Sequence, residues 1–266
     1  FFIMTSSVLL VFILSFISFG ISPLENLPGS YFHPLGEHGL LETLAWGLIA
    51  LGTLVDPNFY QRCFAVDKNK TAKRGIILST FVWIIFDLSL TFGAMYAKAT
   101  MPEAEASTGY FVYALSILPD GLRGFFLAGI CATILSTLDS YLFLAGTTLS
   151  YDLLPARFQK SNISQRISIV LIGLIATLLS FSFDGNIKAV WKALGSISTS
   201  ALLVPLMWTH MSSSKKEDIT FLLSASFGAF ASIWWRLSGS KETYSLDEIY
   251  VGVIASIIGL ISSVLI

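Results

Sequence analysis

Four hydroxyl side chains in the stretch GLRGFFLAGICATILSTLDSYLFLAGTTLSYDLL, residues 121–154, are spaced for chemistry. Thr133, Ser136, Thr137 and Ser140 fall at i, i+3, i+4 and i+7, so on a helix all four share one face. Asp139 lies about 60° around such a helix from Ser136, at the border of that face. A stripe of this kind offers neutral oxygens, and each Ser or Thr also loosens the backbone carbonyl near it. Hard cations such as sodium take oxygen ligands, and a nearby carboxylate adds negative potential. The same hydroxyls also allow membrane helices to pack closely, and the stripe alone does not choose between the two readings. Asp139 shifts the balance towards a site, because an ionisable group in mid-membrane needs a reason to be there.

Two further places carry polar groups inside apolar sequence. In WGLIALGTLVDPNFYQR, residues 46–62, Gly47, Gly52 and Pro57 weaken a helix and Asp56 precedes the proline. The residue before a proline avoids the α region, and Pro57 has no N–H to give to residue 53. Either the helix breaks and turns carbonyls and a carboxylate towards a cavity, as discontinuous transporter helices do, or this is an ordinary helix end capped by Asp56. Asp87 sits in the middle of STFVWIIFDLSLTF with no partner nearby in sequence. It suits an interhelical hydrogen bond at least as well as a role in transport. The run Gly195, Ser196, Ser198, Thr199 and Ser200, just after Trp191 and Lys192, suits close helix contact. His33 and His38 read more simply as solvated loop residues than as metal ligands.

The elements that position these residues follow from composition. The chain has 266 residues, 54% hydrophobic and 12% charged, against about 25% charged in a soluble domain. Its apolar residues fall in blocks near the length that spans a bilayer as a helix. The reading is an all-α polytopic membrane protein, a single transmembrane domain over 1–266. About eight membrane segments are expected, at 1–22, 39–61, 74–99, 122–152, 165–183, 188–211, 219–238 and 248–266. The apolar piece 108–118 is too short to span and reads as a surface half-helix or re-entrant lid. If all segments span, Arg62, Lys68, Lys70, Lys73, Arg74, Arg157, Lys160, Arg166, Lys215 and Lys216 share one face. Lys98, Arg123, Lys188, Lys192, Arg236 and Lys241 share the other. That bias makes the first face cytoplasmic. A net charge of −1 gives no reason to expect nucleic acid as a partner. Cys63 and Cys131 are expected as free thiols. Phe1 opens in mid-run with no signal-peptide pattern, so the chain is expected to be a piece of a longer protein.

The motifs TLVDPNFYQR at 53–62 and the Ser/Thr-rich stretch at 121–154 resemble the sodium:solute symporter family, which includes sodium-coupled sugar, proline, pantothenate and sialic acid carriers. In register, the resemblance covers nearly the whole chain. It implies the five-plus-five inverted-repeat transporter fold with the first repeat mostly missing, in the plasma (cell inner) membrane. It also implies sodium bound by the hydroxyls of Ser136 and Thr137 and the carbonyl of Thr133, the remaining ligands coming from a helix absent here. Ser140 and Asp139 would serve a second sodium. Asp56 and Asn58 would fall near positions that contact or gate the solute, and an acid at 56 departs from the sugar carriers. The expected partners are a small solute, sodium and the lipid bilayer. The expected mechanism is alternating access without covalent chemistry, so no enzyme is expected. The rivals are a solute-sensing membrane domain without transport and a proton-coupled carrier using Asp56, Asp87 or Asp139.

Overall fold

The computed structural model describes residues 2–155, 157–159, 161–181, 183, 186–212 and 217–265. Lys160, Lys215 and Lys216, used above for orientation, lie outside them. The described elements are helical: α1 (Phe2–Phe19), α2 (Ser22–Glu25), a 3-10 turn (Gly29–Phe32), α3 (Gly39–Leu51), a second 3-10 turn (Gly52–Val55) and α4 (Pro57–Phe64). There follow α5 (Asn69–Thr100), α6 (Gly109–Ile117), α7 (Leu122–Thr148) running into a π turn (Leu149–Leu153), and α8 (Asn162–Phe181). The chain closes with α9 (Ile187–Met211), α10 (Glu217–Leu237), α11 (Ser240–Tyr244) and α12 (Glu248–Leu265). Seven of these, with α3 and α4 taken as one broken span, are long and apolar enough to cross a membrane, and α12 is shorter. With no strand among the described residues, this is a polytopic all-α architecture, the only kind besides a closed barrel that satisfies its backbone in lipid.

The chain forms two compact units, Phe1–His33 with Ala65–Ile169, and Pro34–Phe64 with Val170–Ile266. In the first, α1 packs against both α5 and α7. Its core gathers Val11, Met95, Tyr96, Tyr113 and Phe126. The buried tyrosines carry hydroxyls into that core and satisfy them there. Tyr113 donates to the Ser15 hydroxyl at 2.7 Å and Tyr96 to the Gly20 carbonyl. The crossing of α1 and α7 is tight, since a Cβ on Gly129 would meet Ser7 Oγ at 2.2 Å.

In the second unit α9, α10 and α12 pack on one another through small residues. Gly228 lies against the Ser200 carbonyl, Gly252 against the Ser232 and Ser200 hydroxyls, and Gly259 against the Leu223 carbonyl. Ser224 donates to the Ser256 carbonyl at 2.8 Å. Thr220, Ser224, Gly228 and Ser232 recur every four residues, which keeps them on one side of α10 and lets the backbones approach. The α3 helix and the turn after it lie on α9, with Gly195 against Ile49 and Gly52 against Thr199.

Candidate functional site

The hydroxyls of α7 are turned back on their own helix. Thr133 donates to the Gly129 carbonyl at 2.9 Å, Thr137 to the Thr133 carbonyl at 3.0 Å and Ser140 to the Ser136 carbonyl at 2.9 Å. Each bond reaches four residues back, the geometry that competes with the helical ladder and loosens it. Thr133 and Ser140 are half-buried, whereas Ser136, Thr137 and Asp139 are exposed. Their neighbours Ile134, Leu135 and Leu138 are exposed as well, so the described residues cover the middle of α7 only in part. The same helix is closely engaged one turn earlier, where a Cβ on Gly129 would meet Ser7, and two turns later, where one on Gly146 would meet Ile169. Asp87 is likewise exposed on α5.

The second group of expected site residues lies in the other unit, where the broken span sits. Asp56 leaves the helical region, with φ −72° and ψ 118°, and α4 restarts at Pro57. Asp56 Oδ1 accepts the Asn58 backbone N–H at 2.8 Å, which is an N-cap contact. The break and the capping carboxylate, alternatives in the sequence, are therefore both present. Asn58 is buried, and its side-chain nitrogen Nδ2 has no hydrogen-bond partner. A buried donor left unpaired costs about 1–3 kcal/mol, so it is retained only for a reason. Tyr60 donates to the Leu54 carbonyl at 2.8 Å across the break, and its ring lies 6.2 Å from that of His210.

Sequence spacing gives Ser196 no role beyond close contact. In the structure it is fully buried with its hydroxyl unpaired, one turn from Thr199, which abuts the broken span at Gly52. The signal for it was the position of the run 195–200 opposite a kink, which only the fold reveals. His38 Nδ1 lies 3.3 Å from Glu42 Oε2, and no cluster of three or more His, Cys, Asp or Glu side chains forms among the described residues. Cys63 on α4 and Cys131 on α7 are free thiols, the first half-buried and the second exposed.

Seven apolar spans, one broken at an Asp-Pro pair and one carrying an exposed hydroxyl stripe, define a multi-pass helical membrane protein. Residues 24–215 match the sodium:solute symporter family, and the chain belongs to that family. It is 26% identical to the osmoregulated proline transporter OpuE of Bacillus subtilis (strain 168) over 242 residues, 85% of this chain and 48% of that protein. To the sodium/pantothenate symporter of Escherichia coli (strain K12) it is 25% identical over 185 residues, 66% of this chain and 37% of that protein. To sodium/proline symporter 2 of Staphylococcus saprophyticus subsp. saprophyticus it is 22% identical over 241 residues, 83% of this chain and 46% of that protein. The chain thus spans about half the length, or less, of the curated relatives it matches. These relatives are transporters, not enzymes. No solved structure matches it.

Proposed function

We propose that the chain is the second half of a sodium-coupled symporter that moves a small organic solute across the plasma membrane by alternating access, on the five-plus-five inverted-repeat plan. The observation that carries this reading is the middle of α7. Ser136, Thr137 and Asp139 present oxygens and a carboxylate at mid-span on an exposed stretch of helix. A carboxylate at that depth is costly against lipid, which argues that protein or ion covers it in the whole molecule. In this reading the hydroxyls of Ser136 and Thr137 and the carbonyl of Thr133 hold sodium, and Ser140 and Asp139 serve a second ion. Helices upstream of Phe1 complete the coordination, in keeping with relatives about twice as long. The solute lies against the broken span at Asp56 and Asn58, where the unpaired Asn58 Nδ2 gives it a donor. The driving force is the sodium gradient plus the membrane potential, about 2.3 kcal/mol per charge per 100 mV.

The test is uptake by the full-length protein in vesicles, with proline and pantothenate as probes. Sodium-dependent uptake, with Ser136→Ala and Thr137→Ala each raising the half-saturating sodium concentration, supports the reading. Unchanged sodium dependence in both variants removes the proposed ion site. Uptake that ignores sodium and follows pH assigns the coupling to protons. Solute binding without passage makes the protein a sensor.

A further inference from the structure

The short helix α6 connects α5 to α7, and it has an inward and an outward side. Gly109, Tyr113 and Ala114 are buried, as is Leu118 at its C-cap, whereas Phe111, Val112 and Ser116 are exposed. The inward side is held against three helices in three different ways.

Towards α1, the Tyr113 hydroxyl donates to Ser15 Oγ at 2.7 Å, and Ser15 Oγ donates in turn to the Val11 carbonyl at 2.7 Å. Tyr113 and Ser15 are both buried, where a hydrogen bond is stronger than in water and costly to leave unmade. Towards α5, the Tyr110 ring fills a notch at Gly93, where an added Cβ would come within 2.8 Å of Tyr110 Cε2. Towards α7, the Phe126 ring lies 6.1 Å from that of Tyr110 and 6.2 Å from that of Phe111. Tyr113, Ala114 and Leu118 share one buried core with Val11 of α1, Tyr96 of α5 and Phe126 of α7.

The two joints are fastened as well. Lys98, near the end of α5, donates to the Pro102 carbonyl at 2.9 Å. Arg123, at the start of α7, donates from Nε to the Leu118 carbonyl at 2.9 Å, which satisfies an acceptor at the end of α6.

The length of α6 sharpens what these contacts mean. It has nine residues, and isolated helices shorter than about 12–15 residues are marginal in water. Its helical form therefore depends on the surface it is docked to. A segment of this kind, pulled clear of α1, α5 and α7, would unravel rather than swing out as a rigid flap.

We propose that α6 is a fixed brace and not a lid: the Tyr113–Ser15 hydrogen bond and the Tyr110 ring in the Gly93 notch join α1, α5, α6 and α7 into one body, and α6 moves only with that body. The brace itself does not depend on transport. Its consequence rests on the symporter reading given above: solute enters or leaves past α6 by movement of another segment or of the whole body.

The experiment is amide hydrogen exchange on the full-length protein. Without sodium or solute, amides of 112–117 should exchange at least about a hundredfold more slowly than an unstructured chain, as expected of a docked element that opens rarely. Gly93→Ala, which crowds the Tyr110 ring, should raise their exchange by about tenfold, as expected of an overfilled contact. Tyr113→Phe should raise it by about threefold, as expected from losing one hydrogen bond, and it is the variant that decides if Gly93→Ala fails to accumulate. Sodium, alone or with proline or pantothenate, should leave exchange over 112–117 within about threefold of its value without them, since a brace does not open by itself. Weaker protection than this in the unaltered protein, protection untouched by the variants, or a larger ligand response confined to 112–117 overturns the proposal. Sodium-dependent uptake is measured on the same preparation. Absent uptake with the expected exchange in the ligand-free protein keeps the brace and removes the symporter reading.

Discussion

Serine and threonine serve opposite ends in the two units. On the facing sides of α10 and α12, Ser224, Ser232 and Ser256 are buried with glycines between them, and the hydroxyls of Ser224 and Ser232 cross to the Ser256 and Glu248 carbonyls. Along the middle of α7 their hydroxyls bond their own helix and face outward. The first arrangement turns polar groups into a seam. The second leaves carbonyl and hydroxyl oxygens for something that is not a described helix. Residue type is the same in both, so what separates packing from a candidate site is whether a glycine on the partner helix lets the backbone come close. At 228, 252 and 259 one does; residues 134–139 stay exposed.

That contrast breaks most readily at Gly252, where an added Cβ would sit 1.9 Å from Ser232 Oγ and 2.4 Å from Ser200 Oγ. Gly252→Ala should destabilise the protein by about 1–3 kcal/mol or more, read as a lowered unfolding temperature, because a close-packed seam has no room to yield. Next in size, Ser136→Ala and Thr137→Ala should each shift the half-saturating sodium concentration upward by about tenfold, about 1.4 kcal/mol of ion binding. Unfolding temperature should hardly move, since exposed positions cost little. Asp139→Asn should weaken ion coupling less than Ser136→Ala, and the reverse ranking would reassign the ligands. Smaller again, Ser224→Ala should cost about 0.6 kcal/mol of stability, the typical worth of an interhelical hydrogen bond in a membrane, and leave sodium dependence untouched. A seam serine that altered sodium dependence, or a stripe serine that altered only stability, would erase the distinction between the two regions.

The smallest expected effect is that of pH on the Lys192–Asp247 ion pair, 3.0 Å across. Asp247 is held below its ordinary value of 3.8, so its contribution to stability is complete above that value and is lost only as pH falls through the lower, folded value. The difference in unfolding temperature between the unaltered protein and Asp247→Asn should therefore be the same at pH 7 and pH 5. A difference that changes within that window would show that another group controls the pair.

Much of this was legible because it is local. The period that puts Thr133, Ser136, Thr137 and Ser140 on one face needs only a helix, and the break at Asp56 needs only a proline and the glycine before it. The ion pairs of Lys192 with Glu42 and Asp247 were not legible, since the three lie far apart in the chain and nothing in their spacing pairs them. The seam was half legible. The four-residue recurrence of Thr220, Ser224, Gly228 and Ser232 is a recognisable small-residue pattern, but which helix it would meet depends on topology. The exposed middle of α7 lies between these cases, because the sequence places the oxygens on one side and only the fold shows that side uncovered.

The two thiols make that last point accessible to chemistry. Alkylation requires the thiolate, and a thiol facing hydrocarbon stays protonated and inert. Cys131 stands half a turn before Thr133 on α7, and Cys63 lies on α4, beyond the break in its span. A charged maleimide applied to the whole protein would therefore distinguish a wet vestibule from an oily wall at 131, and report whether water reaches α4 at 63. Each helix carries its own probe without any residue having to be introduced.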